Sequence, residues 1–383
     1  MRCIYLDNNA TTPVFPQVFE AMKPYFNEAF GNPSSIYSLG REALAAVKQS
    51  RQSVARLLDC QPTEVIFTSG GSEGDSLAIS GLASEGDHII TSVIEHSAVT
   101  EACRASEQFG CQVTHVPVDG NGQVNPEDVR RALRKNTKLI SIMLANNETG
   151  VLQPVQEIGR IAAEADVRFH IDAVQGAGKV PISVARLQCD LLSISGHKMH
   201  APKGIGALFV KRGTPLRPLI YGGPQERGRR AGTENVPAIV GLGIASELAL
   251  AGLREGVIDR IAAWRNRLEN TIVETISDTG INGKGAPRVA NTTNIYFDHA
   301  GGNALVLALD EKNIAVSRGS ACHAGEDTPS SVLMAMGLSG ERSRSSLRLS
   351  LGKMNCEEDI EYLLSVLPGA VERVRHAIAP CRS

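Results

Sequence analysis

The stretch SISGHKMHAPKGIGALFV, Ser193 to Val210, sets Lys198 in a turn between two β-like apolar runs. A lysine desolvated at the end of a buried run has a lowered pKa and a nucleophilic amine; a plain loop lysine has the same local pattern. Other polar residues recur at comparable places. Thr68-Ser-Gly-Gly-Ser-Glu-Gly-Asp follows an apolar run and opens a helical pattern, with Ser72 and Asp75 spaced as a capping pair. Unpaired N–H groups at such a helix start make an anion seat, although glycines after a strand also serve as simple tight turns. The segment is no P-loop, because the Gly-Lys-Ser/Thr ending is absent. His96 follows the next run in VIEHSAV, Asn146-Asn147-Glu148-Thr149-Gly150 follows Leu139 to Leu144, and Asp172-Ala-Val-Gln175 closes Arg168 to Ile171. Taken singly, these read as a satisfied histidine, an Asx turn, and a helix cap or paired carboxylate.

One cofactor uses the whole set. Pyridoxal phosphate takes a lysine amine for its Schiff base, a carboxylate on its pyridinium nitrogen and a helix N-terminus for its phosphate. A flat side chain stacked on the ring completes the site, a place open to His96.

The elements that must position these residues alternate. Short runs at Val65–Phe67, His88–Thr91, Leu139–Leu144, Val167–Ile171, Leu191–Ile194 and Ala207–Val210 are separated by helical patterns such as Pro126–Arg134 and Val155–Ala165. That order predicts an α/β fold with a mainly parallel sheet covered by helices, whose ligands bind beyond the carboxyl ends of the strands. The leucine-rich segment from Ala245 to Asp278 reads as long helix leading to a smaller α+β unit. That unit has strands at Thr292–Phe297, Ile314–Ser317 and Leu347–Leu351 and a closing helix from Glu357 to about Ala379, interrupted near Pro368.

Length supports two domains, since 383 residues exceed what one core holds. They are expected at 16–255 for the large unit and at 1–15 with 256–383 for the small one. Lys plus Arg number 39 and Asp plus Glu 41, and a net charge of -2 argues against a nucleic-acid or anionic-membrane partner. Apolar runs such as Leu305–Leu309 fall far short of the ~20 residues that span a bilayer, and MRCIYLDNNATT carries no apolar signal segment, so a cytoplasmic protein is expected. Eight cysteines without a CxxC pair read as free thiols in a reducing compartment, with no disulfide frame and no metal site.

The motifs LDNNATTP, TSGGSEGDSLAI, EHSAV, ANNETGVLQP, HIDAVQ, SGHKMHAPKGIGAL, RAGTEN and SRGSAC resemble, in order, those of the aminotransferase class V family, and most closely cysteine desulfurases of the NifS and IscS type. The resemblance runs from about residue 4 to about residue 365 and implies the type I fold of pyridoxal phosphate enzymes. It implies Lys198 as the Schiff-base lysine, Asp172 on the pyridine nitrogen, His96 on the ring face and Gln175 on the phenolic oxygen. It gives the phosphate to Gly71, Ser72, Ser195 and His197, with Thr233 reaching across from a second subunit. Asn147 and Arg348 would hold the substrate carboxylate, and a bidentate guanidinium is suited to orienting one. A homodimer and a docking sulfur-acceptor protein are implied as well.

Cys322 lies in SRGSACHAGEDTPSSV, where the thirteen residues from Gly319 to Ser331 include no large apolar side chain. Such a segment cannot bury itself, which predicts an exposed, mobile loop and a reactive thiol; an accidental loop thiol has the same surroundings. With the resemblance, the expectation is an L-cysteine desulfurase that forms a persulfide on Cys322 and releases alanine, supplying iron-sulfur clusters or thio-cofactors. The alternatives are a selenocysteine lyase, whose Ala-Cys-His pattern this chain shares through His323, and a catalytically idle scaffold. The sequence departs from the housekeeping pattern at His323, where Thr is usual, and at Gly71 and Ser72, where Ala-Thr is usual.

Overall fold

The computed structural model of the chain describes residues 3–319 and 328–378. Its strands are, in chain order, β1 Ile4–Tyr5, β2 Val65–Thr68, β3 His88–Ser92, β4 Gln112–Val116, β5 Thr137–Met143 and β6 Arg168–Asp172. They continue with β7 Leu191–Ser195, β8 Gly206–Val210, β9 Thr279–Ile281, β10 Thr292–Phe297, β11 Ile314–Ala315 and β12 Ser346–Ser350. Seven form one sheet in the order β2-β8-β7-β6-β5-β3-β4. All neighbours in it are parallel except β8, which runs against both β2 and β7.

Sequence explains most of this sheet. Strands β2, β3, β6, β7 and β8 are buried almost residue for residue, and helices on both faces turn such strands into near-continuous apolar runs rather than alternating ones. The edge strand β4 reads Gln-Val-Thr-His-Val and is largely uncovered, so it shows no apolar run and escaped the sequence reading. Arg134 fastens that edge by donating to Gln112 Oε1 and Thr114 Oγ1.

A second core lies around the antiparallel sheet β12-β10-β9 and the parallel pair β1-β11, where Leu6, Leu268, Phe297, Leu305, Leu347 and Leu363 meet. The expected long helix is two, Val236–Arg254 and Val257–Thr275, parted at Gly256. Its φ of 73° is a left-handed conformation that ends the first helix. Conversely, the helix Glu357–Ile378 continues through Pro368. Burial of Leu363, Leu367, Val371 and Val374 in the second core holds both sides of the proline, outweighing the hydrogen bond it cannot donate.

Local composition and local rules are overridden by packing in two further places. Val236–Arg254 is long and apolar enough, by length and composition, to cross a membrane; its two-sided burial against the helices Pro16–Met22 and Ser38–Leu58 accounts for that composition. Ser72 and Asp75 do not cap the helix Gly71–Leu82. Gly70 is its N-cap without a side-chain bond, and Glu73 turns back to accept from the Ser69 N–H at 2.7 Å.

Gly206 brings β8 against the start of that helix. A Cβ there would lie 2.6 Å from the Ile194 carbonyl oxygen and 2.8 Å from the Gly70 Cα. Both obstacles are backbone, so Gly206→Ala is expected to cost about 1–3 kcal/mol, read as a lower urea midpoint at unchanged slope. An unshifted midpoint would mean that β8 and the Gly70 turn are not in this close contact.

Candidate active site

Because β8 is antiparallel to both of its neighbours, β2 points the same way as β3, β5, β6 and β7. Their carboxyl ends therefore share one edge. There β2 leads to Gly71 and Ser72, β3 to His96, β5 to Asn147, β6 ends on Asp172, and β7 delivers Ser195, His197 and Lys198. The charges of Asp172 and Lys198 both act on the protonation of His96, and those of His96 and Lys198 on that of Asp172, so the three stand close together.

Lys198 is part-buried, and its Nζ donates to the carbonyl oxygens of Asn9 and Ala10 at 2.6 and 2.7 Å. These belong to the N-terminal segment, which crosses the edge after β1. Gln175 Nε2 donates to the same Asn9 oxygen at 3.0 Å. Arg348, on β12 of the other sheet and 2 % exposed, reaches over with one nitrogen on Asp7 Oδ1 at 2.6 Å and another on the Asn147 carbonyl at 3.0 Å. Its Nε is buried without a partner among the described residues.

Three carboxyls lie behind this edge: Asp75, Glu95 and Asp172, all buried. Burial raises the Asp172 pKa, against the opposing pull of His96, the Val174 N–H and Lys198. Burial likewise pushes Glu95 up to about 8, although it accepts from Ser92 Oγ at 2.5 Å and the Met143 N–H at 3.1 Å. Asp75 is held well above the usual carboxylate range by burial and by the neighbouring Asp172. Beside it stands His170, whose Nε2 lies 3.5 Å from Asp75 Oδ1 and 2.9 Å from Ser193 Oγ. Burial drives that imidazole down to about 3, so it is neutral. His96 is also pushed down by burial; it caps the helix Ser97–Gln108 through Nδ1, which accepts from the Ala98 N–H at 3.1 Å.

The arrangement fits pyridoxal phosphate on several counts. A first-turn helix end offers N–H groups with no intrahelical acceptor, and at Gly71–Leu82 that end lies against Ser195, whose Oγ is 3.8 Å from a Cβ built on Gly70. A Cβ on Gly71 would meet Val174 Cγ2 at 2.7 Å, so this turn is closed to larger residues. The one acid of the first turn, Glu73, is matched by Arg230 at 3.0 Å. Among the described residues the Asp172 carboxylate accepts a single hydrogen bond, from the Val174 N–H at 2.9 Å. A protonated ring nitrogen would supply the charge that its burial withholds.

Of the residues singled out from the sequence, Gly71, Ser72, His96, Asn147, Asp172, Gln175, Ser195, His197, Lys198 and Arg348 gather at this edge, whereas Thr233 is exposed in a loop before the helix Val236–Arg254. Cys322 and His323 lie outside the described residues. Sequence reasoning gave no role to Asn9, Glu95, His170 or Lys179, and gave Asp75 only that of a helix cap. The signal for Asn9 was its place in LDNNATTP, but nothing local says that this segment lies against β7; Glu95 and Lys179 stand one and four residues from site residues already noted.

Known proteins resemble this chain over nearly its whole length. The family described as Aminotransferase class-V matches residues 4–363. A protein of Methanosarcina thermophila named cysteine desulfurase IscS is 48 % identical over 379 residues, covering 98 % of this chain and 93 % of its own length. Among solved structures, a NifS-like protein superposes with a TM-score of 0.90 at 36 % identity, over 97 % of this chain and 100 % of its own. A structure titled SspA in complex with cysteine gives 0.82 at 39 % identity, over 92 % and 100 %.

The buried acid pair has a consequence for stability. Asp75 has a folded-state pKa above its unfolded one, so the folded chain keeps a proton that the unfolded chain releases, and stability declines as pH rises from about 4. Asp75→Asn removes that decline. Relative to the parent, the variant should gain at least ~1 kcal/mol at pH 8, the gain vanishing near pH 4, as measured by urea unfolding at each pH. A pH-independent difference would contradict the raised Asp75.

Proposed function

The chain belongs to the aminotransferase class-V family, and we infer from that membership and from the site that it is a cysteine desulfurase, a sulfurtransferase acting on L-cysteine to give L-alanine. The observation that carries the reading is the joint placement of a part-buried lysine amine, a buried carboxylate and His96 at one sheet edge beside a helix N-terminus.

Pyridoxal phosphate is the cofactor assigned here. Lys198 would carry it, Asp172 face its ring nitrogen, His96 cover its ring and Gln175 address its phenolic oxygen. Gly71, Ser72, Ser195, His197 and Thr233 of the partner subunit would hold its phosphate, with Asn147 alongside. When bound, the cofactor draws electrons from the substrate's α-carbon. The protein groups do the rest. Lys198, resting on two carbonyl oxygens, is the base that takes and returns the α-proton. Asp172 keeps a negative charge opposite the ring, and burial makes that charge count for more than it would in water. Arg348 and Asn147 orient the substrate carboxylate. Cys322, as thiolate, takes the γ-sulfur: the carbon–sulfur bond breaks, a sulfur–sulfur bond forms, and the former β-carbon gains a proton. Thiol plus cysteine gives persulfide plus alanine, so no outside oxidant or reductant is needed.

Other features support the wider reading. Phe19, Phe26, Phe30, Ile36 and Tyr37 are all more than half exposed within one short run of chain, which suits burial against a second copy in a homodimer. Cys103, Cys111 and Cys189 are buried free thiols, as a reducing, cytoplasmic setting would keep them. A sulfur-acceptor protein docking near the Cys322 segment, for iron-sulfur cluster or thio-cofactor assembly, completes the proposal.

The test supplies L-cysteine or L-selenocysteine to the purified protein and quantifies alanine. Parent protein should release alanine from cysteine, Lys198→Ala from neither, and Cys322→Ala should lose cysteine turnover by about a hundredfold or more while still taking up cofactor. Alanine from selenocysteine alone would make the chain a selenocysteine lyase, and alanine from neither would leave a scaffold.

A further inference from the structure

Lys179 is a cation that the proposed chemistry leaves unused. Its Nζ donates to Gln175 Oε1 at 2.6 Å and to Asn9 Oδ1 at 2.8 Å, both neutral acceptors. Burial, and then the cations Lys198 and Arg348, hold its amine well below the ordinary lysine range. Among the described residues no carboxylate pairs with it. A buried amine beside two cations, with no carboxylate of its own among the described residues, is costly to keep charged, and such groups concentrate where a protein uses them.

The geometry shows a use. The amide of Gln175 can in principle present either its oxygen or its nitrogen to a ligand. With Oε1 accepting from the Lys179 amine, Nε2 is the atom left to face a ligand, and it donates to the Asn9 carbonyl at 3.0 Å with a second N–H left over. The same cation settles Asn9. Asn9 Oδ1 accepts from Lys179 and from Asn291 Nδ2 at 3.1 Å, so Asn9 Nδ2 must face the Asn147 carbonyl and Thr292 Oγ1, at 3.1 and 2.9 Å. Held at its side chain in this way, Asn9 offers its carbonyl oxygen to the Lys198 amine.

We propose that Lys179 is a positioning residue: it obliges Gln175 to present a hydrogen-bond donor, never an acceptor, to the cofactor's phenolic oxygen, and it clamps Asn9 as the rest for Lys198. This rests on the cofactor assignment above.

Lys179→Met keeps the aliphatic stem and removes the ammonium, while Lys179→Arg keeps a cation with several donors. The first readout uses cofactor-free protein: reductive methylation with formaldehyde and cyanoborohydride, followed at Lys198 by peptide mass spectrometry. Loosening Asn9 should speed modification of Lys198 about fivefold in Lys179→Met. The second uses protein loaded with pyridoxal phosphate and follows visible absorbance against pH. Losing both a donor to the phenolic oxygen and a nearby positive charge should move the transition up by about one unit in Lys179→Met, with Lys179→Arg closer to the parent. If Lys179→Met melts at a lower temperature but leaves both readouts unmoved, the residue is merely structural and the proposal fails. If Lys198→Ala shows the parent's absorbance band, the cofactor assignment itself fails, whatever Lys179 does.

Discussion

The backbone and side chain of Asn9 are where the two sheets are joined. Its carbonyl accepts from Lys198 and Gln175, its side-chain oxygen from Lys179 and Asn291, and its side-chain nitrogen donates to Asn147 and Thr292. Its own N–H donates to Ser350 Oγ at 3.0 Å. Thus one residue of the N-terminal segment ties the loop after β5, the turn after β6 and the turn after β7 to strands β10 and β12. A buried amide must find partners for all its polar atoms, and three of these partners, Asn147, Gln175 and Lys198, are residues of the candidate site. The active edge is therefore formed only when the N-terminal segment, the large sheet and the small sheet are all in place.

Around that junction, charge is arranged against the usual economy of protein interiors. Asp75, Glu95 and Asp172 stand on one side and Lys179, Lys198 and Arg348 on the other; Arg348 pairs with Asp7 at 2.6 Å, Asp75 faces the neutral His170, and Lys179 donates to neutral amide oxygens. Elsewhere the chain pairs its buried charges: Arg288 with Glu269 at 2.6 Å, and Arg51 with Glu226 at 2.6 Å. Strong pairing would neutralise the groups at the edge and lock them. Burial among neutral oxygens and hydroxyls keeps the proton affinities of Asp75, Glu95, Asp172 and Lys179 displaced and responsive to what binds. The rigidity needed to keep such groups dry comes from the two apolar cores on either side.

Much of this was legible in the linear order of residues. Five polar motifs, each just after an apolar run, place Gly71, His96, Asn147, Asp172 and Lys198 at strand ends, and in a mainly parallel sheet strand ends share an edge. The readings that failed did so where tertiary packing outweighed a local rule. The Ser72–Asp75 spacing suits a cap, but Asp75 is drawn inward beside His170 and Ser193. Pro368 suits a break, but both flanks are packed in the second core. Strand β4 lacks an apolar run because it is an uncovered edge.

What the sequence determined by itself was the chemistry: the residue types, their order after successive strands, and hence an amine, a carboxylate and an anion seat at one sheet edge. That much depends on strand polarity, which short-range pattern encodes. Only the tertiary structure decided which groups are buried without counter-charges and which side-chain amides are locked. Contacts such as Lys179 to Asn9, or Arg348 to Asp7, join residues 170 and 341 positions apart, and no periodicity records a separation of that length.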